Sequence, residues 1–356
     1  MHIFYTSSYD ASVYLQQPEQ NSGRDGILEV GKTYYGSSKD IARSFLKFNV
    51  SNIQTGSSWK AYLNLKSANA EEIPLEYTIY ANAVSQSWTM GTGTKFDNIT
   101  SDGISWKYRN GVDKWVSYDT TGGTAVYTNT GTTGSANAEG GVWYLSGSAS
   151  QSYSYEPDDV RMDVTSIVNL WLSGSLPNNG FIVHHGLNAD DDTLDYGLLK
   201  FFSKETNTIY EPKLEIVWDD SLFVTASLQP VTGSAEEEYK VVLTNLKTKY
   251  PANSTIKVRV KARDMYPAKS FGTSFEYDQS KYLPSGSSYY QLEDYKTGEV
   301  IYPFGDYTKI SCDSTSNYFN MNLNTLPINR TYKLKIKIVE GGISTIIDDK
   351  LIFEIF

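Results

Sequence analysis

Residues 41–53 read IARSFLKFNVSNI, and this stretch decides how the first part of the chain folds. Apolar Phe48 and Val50 alternate with polar Lys47 and Asn49, which is the pattern of a β-strand with one buried face. A shift of one residue in the strand pairing would expose Phe48 and Val50 and bury Lys47 and Asn49. The register of this strand is therefore well specified.

Similar short strands follow along the rest of the chain. Residues 59–65 (WKAYLNL) alternate again after a polar turn that contains Gly56. Upstream, residues 2–5 and 11–15 are predicted to form two short strands separated by a Ser-rich turn. Beyond residue 222 the apolar runs are separated by Gly, Pro, Asn and Ser, and this pattern continues to the last residue. Regularly spaced short strands predict an all-β chain built from sandwiches.

The length of 356 residues predicts two domains, because common domains have roughly 100–200 residues. We expect residues 1–220 to form a β-sandwich with one short helix. Residues 221–356 are expected to form a second, Ig-like sandwich that serves as a docking domain.

Three local patterns depart from simple strands. Apolar residues recur every three or four positions in residues 160–172, which predicts the short helix, with Asp163 or Thr165 as its cap. Residues 101–114 contain Asn-Gly, a tight-turn signal, and are predicted to form a hairpin. Residues 120–141 are rich in Gly, Thr and Ser and are predicted to form a long loop.

The net charge of −10 disfavours nucleic acid and anionic membranes as partners, since both attract clustered Lys and Arg. Cys312 is the single cysteine, so no internal disulfide is expected. The first fifteen residues lack the basic and apolar regions of a secretion signal, and no apolar run has the roughly 20 residues of a membrane helix. We therefore expect a protein made and assembled inside a cell.

An ordered set of short motifs between residues 43 and 218 resembles the DNRLRE-type β-sandwich, a jelly-roll-like module related to some carbohydrate-binding modules. The matching segments are RSFLKF at 43–48, AYLNL at 61–65, SWT at 87–89, DVTSIVNLW at 163–171, GF at 180–181, FS at 202–203 and PKLEIV at 212–217. Each segment is weak alone, and their order makes the resemblance fairly specific for the fold.

The resemblance implies a setting as well as a fold. Such modules occur in secreted surface proteins and in bacteriophage virion proteins, and this chain lacks a signal peptide and a catalytic neighbour domain. It therefore looks like a structural protein of a tailed-phage tail, neck or fibre, made in the host cytoplasm and located in the virion. Its expected partners are other virion proteins and copies of itself, without nucleic acid or membrane insertion.

Acidic and histidine clusters are the first candidates for a site. Asp190, Asp191, Asp192 and Asp195 form the densest acidic group, and oxygen ligands of this kind could hold Ca²⁺. A solvated acidic loop is the alternative, since the EF-hand spacing is absent. The pair at 184–185 is expected to be structural, because neighbours on a strand point to opposite faces and cannot jointly bind one metal. No other cofactor is expected.

Tryptophans supply the second candidates. Trp106, Trp115 and Trp143 lie in or near the longest loops and could contact a glycan or a partner protein. The alternative, which also applies to Trp88, is that these rings fill the core. Exposed rings on one concave face would favour a second function, that of a carbohydrate-binding adhesin that recognises host glycans.

The residues give little support for an enzyme. The chain has three histidines, one cysteine and no G-x-S-x-G motif, so few residues could form a nucleophilic triad. No phosphate loop or dinucleotide fingerprint is present. A glycan-degrading enzyme would need two carboxylates in a cleft, and no pair is singled out. We therefore expect a protein that is not an enzyme.

Overall fold

The computed structural model of the chain describes residues 1–116, 126–128, 139–154, 159–186, 189–190, 192–266, 280–324 and 326–356. Within these ranges it is built almost entirely from β-strands, with one α-helix and one 3-10 turn, so the all-β prediction is confirmed. The predicted strand at 274–277 and most of the predicted loop at 120–141 lie outside the described residues.

Twelve strands form one hydrogen-bonded network in the first part of the chain. They are β1 (His2–Tyr14), β2 (Ile27–Tyr35), β3 (Ser38–Phe48), β4 (Lys60–Leu65), β5 (Ser67–Glu71), β6 (Glu76–Val84), β7 (Val126–Thr128), β8 (Val142–Ser154), β9 (Val160–Asp163), β10 (Phe181–His184), β11 (Gly197–Phe202) and β12 (Lys213–Val217). Their main order is β7-β8-β6-β10-β3-β1-β12-β4-β9. In addition, β2 pairs with β3 and β11, and β11 also pairs with β5.

The chain divides into two compact units. The first unit contains Tyr5–Gln54 and Lys60–Glu215. The second unit contains Met1–Phe4, Thr55–Trp59 and Ile216–Phe356.

Strand β3, which carries most of the stretch at 41–53, is the centre of the first unit. It pairs with β1, β2 and β10, so that Phe45 lies opposite both Ala11 and Ile182. The side chains of Phe45 and Phe48 are fully buried. As the alternation predicts, Lys47 is more exposed than either phenylalanine.

The predicted helix at 160–172 is too long by five residues. Residues Val160–Asp163 form β9, which pairs antiparallel with β4, and helix α1 spans Thr165–Leu172. Val160 and Met162 are buried and their neighbours are exposed. This alternation with a period of two is that of a strand, not of a helix. Neither Asp163 nor Thr165 is the cap residue, which is Val164, but an Asp163 carboxylate oxygen accepts the Thr165 N–H at 3.0 Å.

The predicted hairpin at 101–114 is correct in its turn and wrong in its strands. The described backbone here is irregular, with a single bridge between Tyr108 and Lys114. Gly111 has a φ of +84°, and the Asn110 side chain accepts the N–H groups of Val112 and Asp113. Local hydrogen bonds therefore stabilise the turn, and the rest of the segment packs against the core without forming paired strands.

The second unit is a sandwich of two sheets. Its strands are β13 (Tyr239–Leu243), β14 (Lys249–Tyr250), β15 (Thr255–Asp264), β16 (Ser288–Asp294), β17 (Val300–Tyr302), β18 (Ser311–Cys312), β19 (Asn317–Asn322), β20 (Arg330–Glu340) and β21 (Ile343–Ile355), with a 3-10 turn at Asp306–Thr308. One sheet has the order β13-β15-β19-β18 and the other β14-β21-β20-β16-β17. Tyr290 and Phe319 stack between the sheets with their ring centroids 4.1 Å apart.

One long strand of this sandwich is left open along its outer edge. Strand β21 pairs with β20 at residues 343–347 and 351–355, but on its other side β14 covers only Glu354 and Ile355. Among the described residues, no strand pairs with the outer edge of residues 343–350. Ile343 and Ile346 on this segment expose 67% and 54% of their surface.

Candidate functional site

A buried arginine joins two of the sequence-predicted tryptophans to the acidic loop. Arg43 projects from β3, and its guanidinium lies 4.9 Å from the ring centre of Trp106 and 5.1 Å from that of Trp143. One terminal nitrogen donates to the Gly140 carbonyl at 2.7 Å, and the other pairs with the Asp190 carboxylate. Stacking and pairing together compensate a charge that is fully removed from water.

A second buried cation holds the same loop. The Lys32 ammonium, on β2, donates to the Asp192 carboxylate at 2.6 Å and to the Ala189 carbonyl. The Tyr196 hydroxyl donates to the other Asp192 oxygen at 2.6 Å. This hydrogen bond to a carboxylate is the main reason that the pKa of Tyr196 is raised to about 12. The loop is thus fixed to the β2–β3 hairpin by opposite charges.

These contacts bear on the predicted calcium site. Asp191 lies outside the described residues, and Asp190 and Asp192 each pair with a cation of the chain itself. Asp195 accepts the Gly197 N–H at 2.8 Å, as in a local turn. Among the described residues, no group of three or more His, Cys, Asp or Glu side chains is arranged to hold a metal ion. The calcium site stays a prediction.

His184 is a neutral, fully hydrogen-bonded core residue. Its Nδ1 accepts the Gly186 N–H at 2.9 Å, so the proton lies on Nε2, which donates to Asn82 Oδ1 at 3.0 Å. Its ring centroid is 4.7 Å from that of Trp143. Burial lowers the pKa of His184 well below its usual value, and the nearby Arg43 charge adds to this shift.

His185 is buried in a different way. Its ring lies beside Tyr196, with 5.1 Å between centroids, and edge-on to Tyr77 at 6.1 Å. Burial lowers the pKa of His185 to about 4, although the nearby Thr78 backbone opposes this shift. Both ring nitrogens are buried, with less than 1 Å² of accessible surface each.

A half-open pocket of about 600 Å³ lies over the two histidines. Aromatic rings and hydrogen-bonding groups line it together. The lining residues are Glu76, Tyr77, Thr78, Tyr80, Asn82, Trp143, Leu145, Ser148, His184, His185, Gly186, Ala189 and Tyr196. Its volume falls in the range of roughly 300–1,000 Å³ that small-ligand sites occupy.

The predicted glycan-contact tryptophans are core residues. Trp106, Trp115 and Trp143 are each at most 1% exposed, and Trp88 is also buried. The irregular segment that carries three of them covers one face of the sheet, and Trp115 stacks on Phe45. Trp106 and Trp115 are fully buried and offer no ring face to a sugar in this conformation, and only the edge of the Trp143 side chain reaches the pocket described above.

Several residues of the site escape prediction from sequence. Lys32, Tyr80, Asn82 and Tyr196 look like ordinary polar positions of strands and turns. Arg43 carries a usable signal, because a cation inside an apolar strand must find a partner when it is buried. That signal predicts that Arg43 has an acidic or polar partner, but it does not indicate where in the chain the partner lies.

Comparison with known proteins adds nothing to this geometry. No protein-family model matches the chain, and no curated protein matches it either. Among the described residues, no helix has the length and apolar character needed to cross a membrane.

Proposed function

We propose that this chain is a structural component of a bacteriophage virion, in the tail, neck or fibre apparatus, and that it acts through protein–protein assembly without a catalytic step. The resemblance to DNRLRE-type modules, some of which occur in bacteriophage virion proteins, supports the phage part of this proposal. The observation that carries the assembly role is the open outer edge of β21 with exposed Ile343 and Ile346.

An open edge is a template for a further strand, because its backbone N–H and C=O groups lack partners on that side. Folded proteins commonly block such edges with charge or proline, and use them for binding when the edge stays apolar. Here Asp348 and Asp349 follow the apolar part, at a break in the pairing with β20. The segment ISTII at 343–347 is therefore the part suited to a strand from a neighbouring virion chain.

The test places a charge on this edge. Particles of the phage that encodes the chain are assembled with the Ile346→Lys variant, and copies of the chain per particle are counted by quantitative mass spectrometry. We expect incorporation to fall by about tenfold or more, because a lysine on an edge disfavours strand addition. The matched control is Ile328→Lys, since Ile328 is 57% exposed in a turn of the same unit.

Normal incorporation of both variants would contradict the role of the β21 edge. Complete absence of the wild-type chain from purified particles would contradict the virion proposal itself. Unfolding curves of the two purified variants show whether each still folds.

A carbohydrate-binding adhesin is the second candidate, and the pocket over His184 and His185 is the observation that favours it. Aromatic rings beside hydrogen-bonding groups are the usual lining of small-ligand sites. The two functions are compatible, since a fibre protein can both assemble and bind.

A further inference from the structure

The Asn-Gly turn at residues 110–111 holds the groups needed for a spontaneous reaction of the chain with itself. Asn110 and Gly111 are half-buried and precede Val112, which exposes 74% of its surface, so water reaches the turn. Glycine has no Cβ beside the backbone nitrogen that has to approach the Asn110 side chain. In the part of the chain that the structure describes, no carbonyl accepts the Gly111 N–H. This nitrogen is therefore placed to act as a nucleophile.

The Asn110 side chain is held in a way that favours attack on its carbonyl carbon. Its Oδ1 accepts the N–H groups of Val112 at 3.1 Å and of Asp113 at 2.7 Å. Two backbone donors on one carbonyl oxygen stabilise the negative charge that forms there when a nucleophile adds to the carbon. Asn110 Nδ2 donates to the Asp113 carboxylate at 2.9 Å. This carboxylate can accept the proton that the attacking nitrogen loses and pass it to the leaving nitrogen.

We propose that Asn110 is a site of spontaneous deamidation in the folded chain. The Gly111 nitrogen bonds to Asn110 Cγ, the bond from Cγ to Nδ2 breaks, and ammonia leaves with the proton that the Gly111 nitrogen gives up. Water then opens the cyclic imide at either of its carbonyls, which leaves aspartate or isoaspartate at this position. No group is oxidised or reduced, and water is the only co-reactant.

The same dipeptide occurs at residues 179–180, in a setting that opposes the reaction. Asn179 is only 9% exposed, and the Gly180 N–H already donates to Asn178 Oδ1 at 3.2 Å. A Cβ on Gly180 would lie 2.2 Å from the Leu46 carbonyl oxygen, so the backbone here is closely packed and has little room to turn towards the Asn179 side chain. The dipeptide alone predicts equal reactivity at the two sites, and the fold distinguishes them.

Deamidation destabilises the turn in which it occurs. Either product places a carboxylate next to Asp113, so repulsion between two negative charges replaces the hydrogen bond from Nδ2. The turn belongs to the irregular segment that carries Trp106 and Trp115, which pack in the core with Phe45. We therefore expect this segment to loosen slowly as the protein ages. The inference is independent of the virion and adhesin proposals.

The test follows both Asn-Gly sites in the full chain during incubation at neutral pH. Peptide mapping by mass spectrometry measures the asparagine that remains at each site and separates aspartate from isoaspartate. In the folded chain, Asn110 should convert about tenfold faster than Asn179, or more, because only Asn110 has the two donors on its Oδ1. In guanidinium chloride, where the fold is lost, the two sites should convert at similar rates.

A variant tests the role of the neighbouring carboxylate. Asp113→Asn keeps the size of the side chain and removes its charge, and it should slow the conversion of Asn110 several-fold. The comparison of Asn110 with Asn179 needs no variant, so the proposal stays testable if Asp113→Asn fails to fold.

Two results would overturn the proposal as a whole: no conversion of Asn110 in the folded chain while the unfolded chain reacts, or equal rates at Asn110 and Asn179 in the folded chain. A wild-type rate in folded Asp113→Asn would overturn the part of the proposal that assigns proton transfer to Asp113.

Discussion

At the scale of single residues, the first unit depends on buried charges that are compensated. Arg43 is fully buried between two tryptophan rings, and its carboxylate partner Asp190 is almost as deeply buried. Removing one member of such a pair leaves an uncompensated charge in a region of low dielectric constant. The pair therefore matters more for stability than the many pairs on the surface.

This difference leads to a stability prediction. Asp190→Ala should lower the free energy of unfolding of the first unit by about 3–5 kcal/mol, because it leaves the buried Arg43 charge without its carboxylate partner. Lys66→Met, which breaks the exposed pair with Asp159, should change it by about 1 kcal/mol or less. Urea unfolding followed by tryptophan fluorescence measures both. Equal effects of the two substitutions would show that the buried pair has no special role.

The buried His185 predicts a pH dependence. Its pKa is lowered from 6.5 to about 4, so the unfolded chain takes up a proton at higher pH than the folded chain. Above pH 6.5 the ring is neutral in both the folded and the unfolded chain, and His185 has no effect on the pH dependence of stability. As the pH falls from 6.5 towards 4, protonation of the unfolded chain lowers the free energy of unfolding by about 3 kcal/mol in all. Asp10 acts in the opposite direction, because burial raises its pKa to about 6.

The comparison of wild type with His185→Phe separates these contributions. Unfolding free energies are measured at intervals from pH 7 to pH 4 for both proteins. The wild type should lose stability relative to the variant as the pH falls, since only the wild type has His185 to protonate. Parallel curves would mean that His185 titrates normally in the folded chain.

At the scale of elements, the sequence predicts most strands and misses those that break the alternation. Residues 2–5 and 11–15, predicted as two strands, form the single strand β1. A register shift between Ser7 and Tyr9 interrupts the period of two, and the buried Asp10 resembles a turn residue. Its carboxylate accepts the Lys204 N–H at 2.7 Å, a distant contact that no local pattern reveals.

Two glycines at element ends allow a matched prediction. Gly174 follows α1 and Gly180 precedes β10, with φ values of +73° and +90°. A Cβ on Gly180 would lie 2.2 Å from the Leu46 carbonyl oxygen, whereas one on Gly174 would meet nothing within 4 Å.

Gly174→Ala should therefore cost about 1–2 kcal/mol of stability, from the left-handed conformation alone. Gly180→Ala should cost about 3 kcal/mol or more, since the clash is added to that strain. Thermal unfolding of the two variants measures the difference. Equal costs would mean that the β3–β10 backbone moves apart at little expense.

At the scale of the whole molecule, the sequence predicts the fold class but only fragments of the site. The acidic loop, the histidine pair and two of the tryptophans do come together, through Arg43 and Lys32. Their roles could not be predicted, because burial under an irregular segment and pairing across the unit depend on the three-dimensional fold. The pocket likewise combines residues from distant strands, such as Tyr80 and Tyr196.

Electron microscopy of native phage particles shows most directly whether this chain is part of a virion. The particles are reconstructed at a resolution that allows each chain to be traced. We expect many copies in a ring or fibre of the tail or neck, with a neighbouring strand along residues 343–347. Particles whose density contains no copy of this chain would contradict the virion proposal.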